Sequence, residues 1–294
     1  MTTALKRRTP PTQRKVGTGN LTALIDGDII QYKAASACDV VRYEHDDGAE
    51  FKYHKEMKAY CLEKGHPLPV KGEGWEGVTK HITPEPVEFC LHTVRKMLED
   101  ILETTEASDC RIFLTGKGNY RETIATRFPY KGNRSRIKPT HFKAAGKYLV
   151  GTWGAEIING HEADDAMGYE HLKNPDTTII CTTDKDLKMI PGKHYGLDSR
   201  EVTEVTLEEA DRFFYCQLLA GDSVDNIKGI DGVGMIRAYK RLEHCETPRQ
   251  MYDECVLLYN EAGLTLNDLN ENADLLWIQR KEQELWLPPE REDI

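Results

Sequence analysis

The chain has 294 residues, 39% of them hydrophobic and 30% charged, with a formal net charge of −10 at neutral pH. That length suits one main domain with a smaller lobe rather than two complete domains, and the composition excludes a wholly disordered chain. No apolar run approaches the length of a bilayer span, and no apolar stretch follows the basic residues near the N-terminus, so a membrane protein is excluded and the expected location is the cytoplasm.

In chain order, residues 1–20 carry Lys6, Arg7, Arg8, Arg14 and Lys15 among Thr, Pro and Gly with no acid, which reads as a flexible basic arm. LTALID (21–26) is a short apolar run that stops at Asp26-Gly27-Asp28 and predicts a buried strand, followed by a helix over IIQYKAASA. Residues 43–82 are polar and broken by Gly and Pro, and they read as an insertion without a placeable period. From Val87, the positions Leu91, Val94, Leu98, Ile101 and Leu102 recur at helical spacing after a Thr83-Pro84 start. RIFLT (111–115) predicts a second strand, 141–150 a helix, 155–159 a third strand, HEADDAMGYEHL (161–172) a helix, and TTIICTT (177–183) a fourth strand ending at Asp184. Beyond residue 206 the chain reads as mostly helical, with a glycine-rich turn at 229–234. This alternation defines an α/β fold, a parallel central sheet flanked by helices over 21–205, with a smaller helical lobe over 206–294. The eight cysteines are scattered without metal-ligand spacing and read as reduced, mostly buried thiols.

The acids fall where such a sheet presents ligands. Asp26 and Asp28 follow the first strand, Glu162, Asp164 and Asp165 the third, and Asp184 and Asp186 the fourth, so seven carboxylates meet at the carboxyl edge. Asp222 and Asp225, spaced for one face of a helical turn, make nine. Carboxylates a few ångströms apart cannot all stay ionised without cations, and hard divalent ions, Mg²⁺ or Mn²⁺, resolve the conflict. A pair of such ions stabilises the attacking and leaving oxygens of phosphodiester hydrolysis. Any single acid at a helix start also serves as a cap, which fits Asp164 or Asp165 taken alone.

The net charge conceals a basic segment. Between Arg111 and Lys147 ten cationic side chains face one acid, Glu122. Within it, Phe128-Pro129-Tyr130-Lys131-Gly132-Asn133-Arg134 interleaves rings with cations, a combination suited to unpaired nucleic acid, and Tyr120-Arg121 extends the pattern. Downstream, Gly221-Asp222-Ser223-Val224-Asp225-Asn226-Ile227-Lys228-Gly229-Ile230-Asp231-Gly232-Val233-Gly234 is a turn between two predicted helices with Arg237, Lys240 and Arg241 just after it; backbone N–H groups there can bind a phosphate.

LIDGD, YKGNR, EADD, TTDKD and GDSVDNIKGIDGVG, in this order and spacing, resemble the 5′ nuclease (flap endonuclease) superfamily, in its phage-type 5′ to 3′ exonuclease branch, from about residue 21 to 242. The resemblance implies a PIN-like parallel sheet, a basic arch over 117–140 and a helix-hairpin-helix lobe. It implies cleavage of DNA near a free 5′ end by a monomer using two Mg²⁺ or Mn²⁺ ions, in phage replication within the host cytoplasm. By motif position, Asp26, Glu162 and Asp164 would hold the first ion with Asp165 beside them, and Asp184, Asp186, Asp222 and Asp225 the second. Lys131 and Arg134 match the cations at the scissile phosphate, and Tyr130 would stack on a base. Arg121, Gly229, Gly232, Gly234 and Arg237 would contact DNA, with a monovalent cation such as K⁺ at the glycine turn. One departure is Gly116, which stands where the family carries an Asp, so that Asp28 or water would fill the gap. Two other readings stay open: a PIN-like ribonuclease, which would need neither arch nor glycine hairpin, and a catalytically silent DNA-binding protein.

Overall fold

The computed structural model describes residues 20–68, 75–134 and 137–290, so the expected arm over 1–20 lies outside the described residues except for Asn20. In chain order the first half contains β1 (Thr22–Asp26), α1 (Gly27–Ala37), β2 (Asp39–His45), β3 (Glu50–Phe51), α2 (His54–Lys64), β4 (Val78–Pro84), α3 (Val87–Thr105), β5 (Asp109–Thr115) and α4 (Arg121–Ile124). The second half contains α5 (Phe142–Trp153), β6 (Glu156–Ile158), α6 (Ala163–Lys173), β7 (Thr178–Thr182), β8 (Gly192–Gly196), β9 (Val202–Val205), α7 (Leu207–Ala220), α8 (Met235–Leu242), α9 (Pro248–Glu261) and α10 (Leu266–Leu276).

Contacts divide the chain into two compact units. The larger takes the segment ending at Ile30, Met97–Ile137 and the chain from Leu149 onward; the smaller takes Gln31–Lys96 and Lys138–Tyr148. The break therefore does not fall at residue 205.

The larger unit is built on a six-stranded sheet of order β6-β5-β1-β7-β8-β9. β1 pairs in parallel with β5 and β7, β5 with β6 and β7 with β8, while β9 closes the edge antiparallel to β8. Ala23, Leu24 and Ile25 of β1 and Ile179, Ile180 and Cys181 of β7 are all buried, because both faces of a central parallel strand are covered. Leu24, Phe113 and Ile180 of the sheet share one core with Met167 of α6, Phe214 and Leu218 of α7, Tyr259 of α9 and Leu276 of α10. The helical C-terminal region and the sheet are thus one packed body. The α/β class and all four expected strands are present. β8 and β9 were not expected, since their residues are largely polar or half-buried and form no apolar run.

The smaller unit contains an antiparallel sheet of order β3-β2-β4, in which β2 pairs with β4 from Asp39↔Pro84 to His45↔Val78. Most of the insertion is therefore ordered as sheet and helix, apart from 69–74, which lie outside the described residues. Thr83-Pro84 closes a strand rather than opening a helix; α3 begins at Val87, beyond Pro86.

Candidate active site

Strand ends and helix starts of the larger unit bring the acids together. Asp26, the last residue of β1, sits just before α1, and its Oδ1 accepts from Ile29 N–H at 3.0 Å while its Oδ2 accepts from the Thr182 hydroxyl at 2.8 Å. The same hydroxyl oxygen accepts from Asp184 N–H at 2.9 Å, and Asp184 Oδ1 accepts from Asp186 N–H at 2.9 Å. Thr182 thus holds the ends of β1 and β7 in register.

The electrostatics of this edge show strain that cations would relieve. Burial, with Asp28 nearby, pushes Asp26 up to about 7. Asp164 is driven well above the usual carboxylate range by burial and then by Asp26, Asp184 and Glu162. Burial and Asp184 raise Asp186 to about 6. These mutual penalties identify the place where positive charge belongs. Among the described residues, no three of these acids bring oxygens within 4.8 Å of one another; side-chain cations stand between them. Lys131 Nζ bonds Glu162 Oε1 and lies 3.6 Å from Asp225, and Arg134 pairs with Asp225. Burial works against the Lys131 charge, yet Glu162 and Asp225 hold its ammonium above the usual range. Lys185 Nζ lies 2.6 Å from both Asp186 Oδ1 and Asp222 Oδ2. An all-oxygen donor set already bridged by ammonium groups fits hard divalent ions.

Gly116 explains the departure from the family pattern. A Cβ there would meet Asn159 Oδ1 at 2.4 Å and the Ile158 carbonyl at 2.6 Å, so an Asp has no room unless the end of β6 moves. Asp28 reaches the same corner from α1. Both of its oxygens accept from Thr115 N–H, at 3.1 and 3.3 Å, and it lies close enough to Glu162 and Lys131 to feel both.

Two expected ligands or contacts have other roles. Arg121 is almost fully buried and donates to both oxygens of Asp165, at 2.7 and 2.9 Å, and to the carbonyls of Leu275 and Trp277. Its guanidinium is used up inside the protein, which removes it from the DNA-contacting set. Asp165, fully buried, also accepts from the backbone of Glu162 and Gln279, so it caps α6 and anchors the chain after α10. Burial alone would raise it, but Arg121 holds it below the usual range.

Tyr130 differs similarly. Its hydroxyl bridges Glu162 Oε2 at 3.0 Å and Asp225 Oδ2 at 2.9 Å, and its partly buried ring packs against the core, so it ties the basic loop to the acids. Phe128, 41% exposed, is the open ring of this loop. Lys131 takes a left-handed backbone (φ 54°), held by its N–H bond to the Asp225 carbonyl at 2.9 Å, while Asn133 and Arg134 donate to the carbonyls of Ser223 and Val224. Ser135 and Arg136 of the expected arch lie outside the described residues.

Asp222 and Asp225 do not share a helical face. Gly221–Asp222 pairs antiparallel with Ile227–Lys228, and Asp225 sits in the turn between them. Gly221 and Gly229 let these backbones touch; a Cβ on either would meet backbone at 2.3 to 2.5 Å. Gly229 is therefore a packing glycine. Gly232 (φ +74°) and Gly234, which begins α8, are the open positions of the turn, and Arg237 donates to the Gly232 carbonyl at 2.6 Å.

Sequence reasoning missed two functional neighbours. Gln217 on α7 donates its amide to Asp186 at 2.9 Å and Asp222 at 3.0 Å, one turn before Gly221. Lys185 stood in plain view within TTDKD. Its ammonium is raised to about 12 because the bonds to Asp186 and Asp222 outweigh burial.

The carboxyl edge of the sheet thus gathers acids around the side-chain cations Lys131, Arg134 and Lys185. No protein-family profile matches the chain. A curated 5′-3′ exonuclease from Mycoplasmopsis pulmonis is 28% identical over 140 residues, 42% of this chain and 47% of that protein, so the match spans about half the relative's length. The fold is shared with bacteriophage T5 5′-exonuclease structures. The T5 protein co-crystallised with metal ions aligns with a TM-score of 0.53 at 14% identity, covering 87% of this chain and 88% of that one. The T5 flap endonuclease in a pseudo-enzyme–product complex with DNA and metal ions gives 0.54 at 14% identity, covering 86% and 88%. A zinc-bound form of T5 5′-exonuclease gives 0.52 at 13% identity, covering 87% and 88%.

Proposed function

We propose that the chain is a divalent-metal-dependent 5′ nuclease that hydrolyses DNA phosphodiester bonds near free 5′ ends, as a 5′ to 3′ exonuclease, a flap endonuclease or both, in phage DNA replication. The observation that carries this reading is the joined carboxyl edge, where the Thr182 hydroxyl links Asp26 to Asp184 and Asp184 accepts from Asp186 N–H, beside an Asp164 that burial and these acids disfavour as an anion. Two Mg²⁺ or Mn²⁺ ions at this edge would activate water and stabilise the attacking and leaving oxygens. Asp26, Glu162 and Asp164, with Asp28 at the Gly116 corner, would hold one; Asp184, Asp186, Asp222 and Asp225 the other.

The remaining steps belong to side chains of the protein. With ions held by the acids, Lys131 and Arg134 would be free of Glu162 and Asp225 and would offset charge developing on the oxygens of the scissile phosphate. Tyr130 fixes the distance between Glu162 and Asp225, and Gln217 that between Asp186 and Asp222. Gly232, Gly234 and Arg237 would grip duplex backbone, with K⁺ at the carbonyls of the turn, and the protein would act as a monomer in the host cytoplasm. Among the described residues no helix is long and apolar enough to cross a membrane.

The test is a gel assay of 5′- and 3′-labelled duplex and flap DNA in Mg²⁺, beside Asp184→Asn and Lys131→Ala. Short products from the 5′ end, reduced at least 100-fold in both variants, are expected. Intact binding without cleavage by the unaltered chain would leave a silent DNA-binding protein instead.

A further inference from the structure

The insertion carries a cluster of different chemistry from the acid edge. His45 ends β2 and is buried at 7% exposure, Asp47 follows in the turn to β3, and His66 comes directly after Gly65, the left-handed residue that ends α2. His45 Nδ1 lies 3.1 Å from Asp47 Oδ1, His66 Nε2 lies 3.8 Å from Asp47 Oδ2, and the imidazole rings are 4.2 Å apart. One donor atom from each of the three residues lies within 4.8 Å of the others. Ligands bound about 2.0–2.1 Å from a tetrahedral zinc stand roughly 3.3 Å apart, so the set closes on an ion with small side-chain movements.

The surroundings orient these donors. The Tyr60 hydroxyl donates to Asp47 Oδ2 at 2.5 Å and Ala49 N–H to Oδ1 at 3.1 Å. These bonds hold the carboxylate beside both imidazoles. Asp47 N–H also points at His45 Nδ1, at 3.3 Å. Gly77 leaves space on the other side of the ring, since a Cβ there would stand 3.4 Å from His45 Nε2 and 3.6 Å from the Asp46 carboxylate.

The insertion also needs a fastening. α2 buries only Met57 and Cys61, β4 is exposed along almost its whole length, and the eight cysteines are free thiols. So small a core is a weak anchor for a three-stranded sheet and one helix, and a bound metal is one of the few devices that stiffens such a lobe.

We propose that His45, Asp47 and His66 bind a zinc-class divalent ion, completed by water, that fastens the end of α2 to the β2–β3 turn. Two imidazoles select zinc or cobalt over the Mg²⁺ suited to the all-oxygen edge, so the sites differ in metal as well as place. The ion's role is structural: it closes the loop between residues 47 and 66.

Titration of the metal-free full chain with Co²⁺ tests this, because tetrahedral imidazole-ligated cobalt absorbs visibly and strongly while oxygen-ligated octahedral cobalt is almost colourless. One strongly absorbing equivalent is expected in the unaltered chain, retained in Asp184→Asn and absent in His66→Gln. Zn²⁺ should protect 39–68 from proteolysis in the unaltered chain and not in His66→Gln, whose metal-free melting temperature should match that of the parent. Tyr60→Phe, which keeps every ligand but frees Asp47, should weaken the site about 10-fold or more. No absorbing equivalent in the unaltered chain, or the same one in His66→Gln, overturns the proposal; if His66→Gln fails to fold, an unchanged affinity in Tyr60→Phe overturns it equally.

Discussion

At the scale of single residues, Gly116 and Asp28 form one argument. The backbone at 116 donates to the Ile158 carbonyl at 2.7 Å, which leaves no space for a side chain, and Asp28 supplies a carboxylate at the same corner. Restoring the usual acid by Gly116→Asp should therefore destabilise the protein by roughly 1–3 kcal/mol, as overpacking does, and should not raise activity. Asp28→Asn should instead leave the melting temperature nearly unchanged and shift the Mg²⁺ concentration for half-maximal cleavage upward. A Mg²⁺ dependence identical to the parent's would show that Asp28 does not stand in for the missing ligand.

Arg121 gives a second residue-scale test, of stability alone. It and Asp165 are both buried and satisfy each other, so removing one leaves the other charged and unpaired. Arg121→Met should cost about 3–5 kcal/mol, and Arg121→Met/Asp165→Leu much less, since replacing a buried pair by apolar groups is often close to neutral. Chemical denaturation of the two variants measures both. Equal losses would mean that the pair is not the source.

At the scale of elements, α7 links the core to the chemistry. Thr206 begins it with reciprocal bonds, the hydroxyl accepting from Glu209 N–H and the Glu209 carboxylate from Thr206 N–H, and Phe214 and Leu218 lock it into the core. Gln217 rides on this fixed helix and so holds Asp186 and Asp222 at a set separation. Gln217→Leu should weaken metal binding by about 10- to 100-fold, as losses of such supporting bonds do, while leaving DNA binding in Ca²⁺ unchanged. Isothermal titration with Mn²⁺ against the parent decides it; an unaltered affinity would make the glutamine a packing residue.

At the scale of the whole molecule, what the sequence made legible was whatever is local. TALID and TIICT announce central strands because burial on both faces requires an unbroken apolar run, and the acids at their ends mark the ligand edge. The insertion was illegible because β2 and β4 are largely exposed or half-buried and alternate no apolar face, and Arg121 misled because its partner lies 44 residues away and a charge in a basic run looks solvated. The acid edge as a whole sets the response to pH. Asp26, near 7, and Asp186, near 6, are raised in the folded chain, as are Asp28 and Asp164, so between about pH 4 and 7 the folded protein binds protons that the unfolded chain releases. The contribution of these acids to stability without metal then falls as pH rises through that window. Asp165 and Asp222 are lowered and act in the opposite sense below the ordinary carboxylate range, and the buried imidazoles of His171, lowered to about 4, and His194 act in the opposite sense within the window itself. The stabilisation gained when saturating Mg²⁺ replaces EDTA isolates the acids, and it should grow between pH 5 and 7.5 by on the order of a few kcal/mol, roughly 5–10 °C in melting temperature for a chain of this size. The ions take the place of the protons, so Mg²⁺ affinity should rise over the same interval. A Mg²⁺-induced rise in melting temperature that is the same at pH 5 and at pH 7.5 would mean that the acids are not crowded as described.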